Sequence, residues 1–365
     1  MRAQKELSAM KKESLDFLKK LMDAPSPSGY EGPAVEVWRA EAKKFADQVR
    51  TDLHGNTIAL LNKGGSPRVM LAGHIDEIGL MIQSIDDNGF ARFQGVGGWD
   101  PQILPGQRVV FMGRKGPVKG VIGKKPIHLM DQDERGKAVK IEDLWIDFGT
   151  GSKKETEKMV SVGDVGVVDV GFEVLYGDIA VARGFDDRIG AFTVLEALRL
   201  MSKMNIEAEV YAVATVQEEI GLRGAHTSAF GIDPKVGIAV DVTFATDYPG
   251  MGAKEKGIFG NIKLGGGPVI ARGPNINPRV HELLVKTAQE KKIPYVVEAI
   301  PRGTGTDANA IQLTRSGVAA GLVSIPNRNM HTPVEMVNLE DVENAFTLIA
   351  HAVARINEKT NLVPF

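Results

Sequence analysis

The 365-residue sequence contains no cysteine. This absence excludes disulfide bonds, thiolate metal sites and a cysteine nucleophile. Any metal site in the chain must therefore use histidine and carboxylate ligands. No stretch approaches the ~18 consecutive apolar residues that a membrane-spanning helix needs, so we expect no membrane partner. A large net charge is also lacking. The formal value is -2, which argues against nonspecific electrostatic binding to nucleic acid.

The rest of the composition is that of a globular protein. Hydrophobic residues make up 43% of the chain and charged residues 25%, proportions that do not fit a disordered or fibrous protein. A chain of this length forms one large domain or two ordinary ones. Residues 1–20 mix both signs of charge and lack an apolar core, so we expect no signal peptide and a cytoplasmic location.

Helical and strand-like patterns alternate over much of the chain. Apolar residues at helical spacing predict helices over 8–22, 278–291, 306–314 and 338–356. Short apolar runs predict buried strands over 57–61, 68–72, 210–216, 236–240 and 318–325. Alternation of this kind predicts an α/β fold with a mostly parallel sheet flanked by helices.

Residues 77–178 have a different pattern. Strand-like segments there alternate with glycine and proline turns, and helical periodicity is scarce. Residues 80–85 and 90–93, joined by the turn Asp87-Asn88-Gly89, predict a β-hairpin. We therefore predict a discontinuous main domain of residues 1–76 and 179–365, interrupted by a small β-rich insert over 77–178.

His74, Glu218, Glu219 and Asp241 each lie just after a predicted strand, and Asp186 and Asp187 follow the apolar run 179–182 at a strand-to-helix junction. The carboxyl ends of the strands in an open α/β sheet form the ligand crevice, so residues that follow different strands are expected to converge there. Carboxylates buried together without a counter-charge would cost several kcal/mol, and a cation is therefore expected among them. The residues in question are His74, Asp76, Asp186, Asp187, Glu218, Glu219, Asp241 and His331.

This set of residues fits a pair of divalent metal ions. A dinuclear hydrolase needs a bridging carboxylate, terminal ligands on each metal and an open position for water. We assign the bridge to Asp186. His74 and Asp241 would hold one metal, and Glu219 and His331 would hold the other. Imidazole and carboxylate ligands suit Zn, Co or Mn.

Two further acids are assigned to catalysis. Glu218 lies next to a predicted ligand, and a free carboxylate beside an activated water is a natural general base and later a proton donor. Asp76 is two residues after His74, so in extended backbone its side chain points the same way. There it would accept the second imidazole N–H and fix the tautomer.

Each motif taken alone also has a structural explanation. The two acidic pairs could cap a helix or lie in a solvated loop, and the two histidines could belong to the core and to an ordinary loop. Asp307 fits the start of a helix, or else it lines the pocket. The joint occurrence of the motifs, in this order and at these sheet positions, favours the metal site.

Several segments of the chain carry a family resemblance. They are Ala72-Gly73-His74-Ile75-Asp76-Glu77-Ile78-Gly79, Asp186-Asp187-Arg188, Glu218-Glu219-Ile220-Gly221, Ala239-Val240-Asp241 and His331-Thr332-Pro333-Val334-Glu335. As an ordered set spread over nearly the whole chain, they resemble the tetrahedral aminopeptidases. These are also called glutamyl or deblocking aminopeptidases, family forty-two of the metallopeptidases, and some members carry an endoglucanase name.

The resemblance implies a fold, an activity and an assembly. The implied fold is a zinc-peptidase α/β core interrupted by a β-barrel that serves dimerisation. The implied activity is removal of N-terminal residues from short peptides by two divalent metal ions, Zn or Co with Mn as an alternative. The bridging Asp186 would be followed by a cis peptide bond, with Asp187 as the alternative bridge. Similar proteins build hollow twelve-subunit tetrahedra from dimers.

Other functions remain open at this point. A carboxypeptidase or N-acyl-amino-acid deacylase on the same core would need a cation for the substrate carboxylate, and Arg272, Arg302 and Arg328 are available. An endoglucanase would need only two carboxylates, which would leave His74 and His331 without a function. A non-catalytic assembly protein that kept the fold is a further alternative.

Overall fold

The computed structural model describes residues 10–365. Its strands are β1 Gln48–Thr51, β2 Thr57–Leu61, β3 Arg68–His74, β4 Gly79–Ile85, β5 Ala91–Val96, β6 Arg108–Gly113, β7 Gly116–Gly123, β8 Trp145–Asp147, β9 Val165–Val168, β10 Glu173–Tyr176, β11 Ile179–Ala182, β12 Glu209–Thr215, β13 Val236–Phe244, β14 Val269–Arg272, β15 Val296–Ala299, β16 Ala319–Asn327 and β17 Glu335–Asn338.

Helices cover the sheets and link the strands. The α-helices are α1 Lys12–Asp23, α2 Gly32–Ala42, α3 Gln132–Arg135, α4 Lys153–Thr156, α5 Phe185–Met201, α6 Arg223–Ile232, α7 Ala253–Phe259, α8 Pro278–Lys291, α9 Asp307–Ile311 and α10 Leu339–Val353. Short 3-10 helices lie at Pro101–Ile103, Ile127–Leu129 and Ile141–Asp143.

The central sheet of the described residues has eight strands in the order β1-β2-β12-β3-β13-β16-β14-β15. The four middle strands, β12, β3, β13 and β16, run parallel to one another. Antiparallel pairing begins on either side of them, where β2 joins β12 and β14 joins β16. Strand β3 is buried along almost its whole length, as expected for a parallel strand covered on both faces. The α/β fold class with its mostly parallel sheet is confirmed.

Helices pack against both faces of the central sheet. Helices α1, α2, α5, α8 and α10 share one apolar core, which includes Trp38, Phe192 and Leu71. Helices α6 and α9 contribute to a second core on the opposite face, which includes Met70 and Ile311. Met70 and Leu71 are neighbours in β3 and point to opposite faces, because side chains alternate along a strand.

A closed barrel of six strands, in the order β4-β5-β8-β7-β6-β9, follows the end of β3. It has its own apolar core, with Phe93, Phe111 and Ile146 among its members. Closure of the barrel leaves no unpaired strand edge. The predicted hairpin is the antiparallel pair β4–β5, in which Ile85 lies opposite Ala91. The inserted barrel is confirmed, whereas the domain boundaries at 76/77 and 178/179 stay predictions.

A small antiparallel sheet has the strand order β10-β11-β17. The strand that precedes Asp186 is β11, so Asp186 and Asp187 follow a strand of this small sheet and not one of the central sheet. Asp241 also differs from expectation, because it lies inside β13 and not after it. Strand β13 continues to Phe244 because its ladder with β16 extends to Asn327.

Several elements differ from the sequence-based predictions. Helix α1 begins at Lys12, and the first residues of the predicted helix 8–22, residues 8 and 9, lie outside the described residues. Helix α6 was not predicted, because Gly224 and Gly231 interrupt its apolar pattern. Strands β1 and β17 are four residues long, too short to show periodicity. Within residues 10–365 we find no helix with the length and apolar character that crossing a bilayer requires.

Candidate metal centre

His74 ends β3 at the carboxyl edge of the central sheet. The residue is 2% exposed, and its Nε2 atom lies 3.2 Å from Oδ1 of Asp186. On the other side of the ring, Nδ1 lies 3.1 Å from the main-chain carbonyl of Asp76 and 3.4 Å from the Oδ1 atom of that residue. With Nδ1–H donating to Asp76, Nε2 directs its lone pair toward the acidic cluster.

Asp186 lies between the two predicted histidine ligands. Its Oδ1 atom is 3.2 Å from Nε2 of His74, and its Oδ2 atom is 3.2 Å from Nε2 of His331. The residue is 7% exposed. The peptide bond between Asp186 and Asp187 is cis, as the family resemblance implies. One carboxylate with each oxygen facing a different imidazole has the arrangement of a bridging ligand.

Asp187 is fully buried and binds the main chain. Its Oδ2 atom accepts a hydrogen bond from the His74 N–H at 3.1 Å, and its Oδ1 atom accepts one from the Gly190 N–H at 3.0 Å. Asp187 also belongs to a group with His74 and Asp241 in which one candidate ligand atom from each residue lies within 4.8 Å of the others. Because main-chain donors already occupy both of its oxygens, the geometry favours Asp186 over Asp187 as the bridge.

The loop after β12 carries Glu218 and Glu219. Both main-chain N–H groups donate to Asp76, to Oδ1 at 3.0 Å and to Oδ2 at 3.2 Å respectively. The hydroxyl of Ser28 donates to the same carboxylate at 2.6 Å. Oε2 of Glu218 lies 3.8 Å from Nε2 of His74. The Asp76 carboxylate therefore positions the loop of both glutamates, besides lying beside the His74 ring.

His331 lies in the loop before β17, and its side chain is 38% exposed. Its Nε2 atom is 3.5 Å from Oε1 of Glu219. Glu335 is a buried acid without a predicted role. It accepts hydrogen bonds from the His331 N–H at 2.9 Å and from the Asp186 N–H at 2.8 Å. Its place within the His331 motif is the one signal in the sequence that could have pointed to it.

Burial disfavours the charged forms of several acids in this cluster. Burial raises the pKa of Glu218 to about 10 and that of Glu219 to about 8. Burial and the charge of Asp186 hold the pKa of Asp241 well above its usual value. The Oε1 atoms of both glutamates are buried without a hydrogen-bond partner among the described residues, and an unsatisfied buried group costs ~1–3 kcal/mol or more. Divalent cations would remove this cost, and the imidazole and carboxylate donors fit them.

Two more buried acids lie near the cluster. Asp307 begins α9, and its Oδ2 atom accepts a hydrogen bond from the Thr215 hydroxyl at 2.5 Å. Its Oδ1 atom has no partner within residues 10–365, and burial raises its pKa to about 6. Glu31, which no sequence motif indicates, accepts hydrogen bonds from the N–H groups of Gly29 and Gln217. Asp307 therefore starts a helix and also adds negative charge near Glu218.

Comparisons with known proteins indicate the family of this chain. The family model described as M42 glutamyl aminopeptidase matches residues 55–348. A lysyl aminopeptidase from Pyrococcus furiosus is 40% identical over 338 residues, which are 91% of this chain and 94% of that protein. The crystal structure of a TET aminopeptidase from a marine-sediment Thaumarchaeota archaeon is 37% identical, with a TM-score of 0.90 over 95% of this chain and 98% of that one.

A further solved structure is that of the Pyrococcus horikoshii TET1 peptidase, which can assemble into a tetrahedron or a large octahedral shell. It is 32% identical, with a TM-score of 0.83, over 94% of this chain and 100% of that one. The family model covers most of the sequence, including every predicted ligand position. This chain therefore belongs to the M42 glutamyl aminopeptidase family of metallopeptidases and is a peptide hydrolase.

Proposed function

We propose that this protein is a dinuclear-metal aminopeptidase that removes N-terminal residues from short peptides. The observation that carries the proposal is the position of Asp186, whose two oxygens each lie 3.2 Å from a different histidine Nε2 atom. His74 and Asp241 would hold one ion, and we call this pair the sheet half. Glu219 and His331 would hold the second ion, and we call this pair the loop half. Zn or Co, with Mn as an alternative, suits both halves.

Glu218 is the proposed proton carrier. Bound divalent ions act as Lewis acids that polarise a carbonyl and lower the pKa of water. Glu218 reaches the site, with Oε2 3.8 Å from Nε2 of His74, and its Oε1 atom has no hydrogen-bond partner in the described part of the chain. It takes a proton from the attacking water and transfers it to the leaving amine nitrogen as the peptide C–N bond breaks.

Two buried carboxylates hold the reacting groups in place. Asp76 accepts the N–H groups of Glu218 and Glu219, and Glu335 accepts those of Asp186 and His331. Hydrogen bonds from N–H groups to a carboxylate are stronger than those between neutral groups. Asp76 and Glu335 therefore act as positioning residues, and the loops that carry the ligands are fixed through the main chain.

The charge of the site favours a substrate with a free amine. The cluster is rich in carboxylates, which attract an ammonium group and repel a carboxylate. Arg328 is one candidate for binding a substrate carboxylate, but it already forms a bidentate ion pair with Asp247. Its Nε and Nη2 atoms lie 2.7 Å from Oδ1 and Oδ2 of Asp247, respectively. Arg272 lines a cavity beside the C-terminal residue Phe365. These placements favour an aminopeptidase over a carboxypeptidase or a deacylase.

We also propose that the barrel, within the insert 77–178, is a dimerisation surface, and that dimers assemble into a dodecamer. The similar Pyrococcus horikoshii TET1 peptidase can assemble into a tetrahedron or a large octahedral shell, which supports assembly here. Apolar side chains of the insert, including Val121, Ile127 and Leu129, are exposed, and a partner subunit would cover them. The discontinuous catalytic domain, residues 1–76 and 179–365, and the cytoplasmic location stay predictions.

Metal analysis combined with a substrate panel tests the proposal. The purified protein should contain two divalent ions per chain, hydrolyse aminoacyl chromogenic substrates, and lose this activity to a chelator until metal is restored. N-acetylated analogues should not be cleaved. Cleavage of N-acetylated substrates would support the deacylase, and chelator-resistant cleavage of cellulose would support the endoglucanase. A metal-free protein with no hydrolysis would support the non-catalytic alternative.

The variant Glu218→Gln tests the proton carrier. We expect its turnover to fall by about 10²–10⁴-fold, because the amide cannot carry the proton, while its metal content stays at the parental value. Turnover is followed with the best chromogenic substrate of the panel, and metal by elemental analysis. Glu290→Gln is the matched control, because Glu290 pairs with Arg355 at the surface. Parental turnover in Glu218→Gln would remove Glu218 from this role.

A further inference from the structure

A loop of the barrel reaches the loop half of the metal centre. Residues 96–100, which we call the strap, leave the end of β5 and pass beside His331. The Nδ1–H group of His331 donates a hydrogen bond to the main-chain carbonyl of Gly98 at 2.9 Å. A neutral imidazole that donates from Nδ1 carries its lone pair on Nε2. In His331 this is the atom that faces Asp186 and Glu219.

The strap packs closely on both ligands of the loop half. A Cβ atom built on Gly98 would lie 3.4 Å from Nδ1 of His331, with Cε1 only slightly farther away. A Cβ atom on Gly97, whose φ is +78°, would lie 3.5 Å from the Cβ atom of Glu219 and 2.8 Å from Cγ2 of Ile78. Gly97 therefore lets the barrel main chain approach the proposed metal centre more closely than a residue with a side chain would, whereas a Cβ atom on Gly98 would make ordinary van der Waals contact with His331.

Trp99 fixes the strap to the barrel. Its indole Nε1–H group donates to the Gly79 carbonyl, at the start of β4, at 2.8 Å. The same ring packs against the apolar core of the barrel, and its Cδ1 atom would lie 3.0 Å from a Cβ atom on Gly95. The position of the Gly98 carbonyl is therefore set by the barrel and not by the domain that carries His331.

We propose that the strap is a positioning element of the metal centre. Through the strap, the barrel sets the affinity of the site for one of the two ions. The Gly98 carbonyl selects the tautomer and the orientation of the His331 ring, so the ion of the loop half depends on the strap. The sheet half does not, because the Nδ1 atom of His74 bonds to Asp76. The inference rests on the proposed assignment of His331 and Glu219 as ligands, and it gives the barrel a part in metal binding besides dimerisation.

A pair of tryptophan variants in the full chain tests the inference. Trp99→Phe keeps an aromatic ring in the barrel core but removes the N–H group that bonds to Gly79. Trp145→Phe is the matched control, because Trp145 lies in β8 and packs on Phe90, away from the strap. The two stepwise affinities for Zn²⁺ are measured by competition with a chromophoric chelator, and folding by circular dichroism.

We expect Trp99→Phe to bind one of the two ions about 10–100-fold more weakly, the usual effect of losing a group that orients a ligand. The affinity for the other ion should equal that of the parent protein, and Trp145→Phe should match the parent at both. Unchanged affinities in Trp99→Phe, or equal weakening of both ions, would overturn the inference. A merely structural role of Trp99 would not weaken one ion alone.

A glycine pair keeps the test decisive if Trp99→Phe does not fold. Gly97→Ala places a Cβ atom 2.8 Å from Cγ2 of Ile78 on a residue whose φ is +78°, so it must displace the strap, and it should also weaken only one ion. Gly149→Ala is its control, since φ there is +76° and a Cβ atom meets nothing within 4 Å. Parental affinities in a folded Gly97→Ala would overturn the inference alone. A parent protein that binds fewer than two ions would overturn the proposed function and the inference together.

Discussion

The sheet half of the proposed metal centre is built on neighbouring strands, whereas its loop half is assembled from distant segments. His74 and Asp241 lie on β3 and β13, which are paired in the central sheet, and they are 2% and 5% exposed. Glu219 follows β12, and His331 lies in the loop before β17, with its side chain 38% exposed. One half therefore takes its geometry from the fold, and the other depends on hydrogen bonds to main-chain groups.

The two halves therefore differ in how rigidly their ligands are held and in how easily substrate and metal reach them. Ligands on packed strands are held in position before metal binds, as an efficient site requires. Ligands on loops allow entry of substrate and exchange of metal, because loops lie at the surface and open more readily than core strands. Asp186 is the proposed bridge between the two halves, so a change at this residue should affect both. Changes elsewhere should affect one half more than the other.

The largest effect is expected for Asp186→Asn. An amide has one acceptor oxygen and no charge, so it cannot bridge two cations. Turnover should fall by about 10³-fold or more, because several kcal/mol of transition-state stabilisation depend on the metal pair. Metal content, measured by elemental analysis, should drop below two ions per chain. Asp187→Asn is the comparison, and a larger loss of metal in that variant would make Asp187 the bridge.

The two histidines should separate the halves. His74→Gln should lose the ion of the sheet half and also lower the free energy of unfolding by about 1–3 kcal/mol, because it disturbs hydrogen bonds in a buried cluster. His331→Gln should lose the other ion with little change in stability, since its side chain is partly exposed. Metal titration and urea unfolding of both variants measure this, and equal losses of stability would contradict the distinction.

A smaller effect is expected for Glu335→Gln. The amide can accept from only one side of its head group, so either Asp186 or His331 loses its main-chain contact. Affinity for one ion should weaken by about 10–100-fold, measured by chelator competition. Asp341→Asn is the matched control, because Asp341 is also buried and accepts two main-chain N–H groups, those of Gly265 and Gly267. Weakening of the same size in the control would contradict a local role of Glu335.

The smallest effect concerns the order in which metal leaves the unmodified protein. Because the loop half is more exposed, its ion should dissociate first when a chelator is added. Stopped-flow measurements with a chromophoric chelator should therefore show two phases, each of one ion per chain. The fast phase should be the one that disappears in His331→Gln. A single phase of two ions would show that the halves do not differ in access.

The sequence indicates candidate ligands for both halves, but it misses the groups that orient the loop half, for a physical reason. His74 ends a buried apolar strand, and the shared edge of a parallel sheet brings such ends together. Glu335 and Gly98 act through the main chain of other residues or through their own carbonyl. A carbonyl is common to every residue, so nothing in the sequence distinguishes Gly98. Its contact with His331 depends on how the barrel is oriented on the sheet.

The secondary structure is likewise predicted where the sequence pattern is long and local, and it is missed where the pattern is short or depends on a neighbouring element. Long periodic segments are predicted closely: the helix expected over 278–291 is observed as Pro278–Lys291. Helix α6 is missed because its glycines interrupt the periodicity. Strand β17 is missed because four residues are too few to show the periodicity of a strand. Strand β13 runs past Asp241 because β16 offers a longer pairing partner, which is a property of the neighbour.

Anomalous diffraction from crystals grown with Zn²⁺ would locate the metal ions themselves. We predict two anomalous peaks in each chain, one between Asp186 and the sheet half and one between Asp186 and the loop half. A single peak, or a pair of peaks that Asp186 does not contact, would show that Asp186 does not bridge two ions.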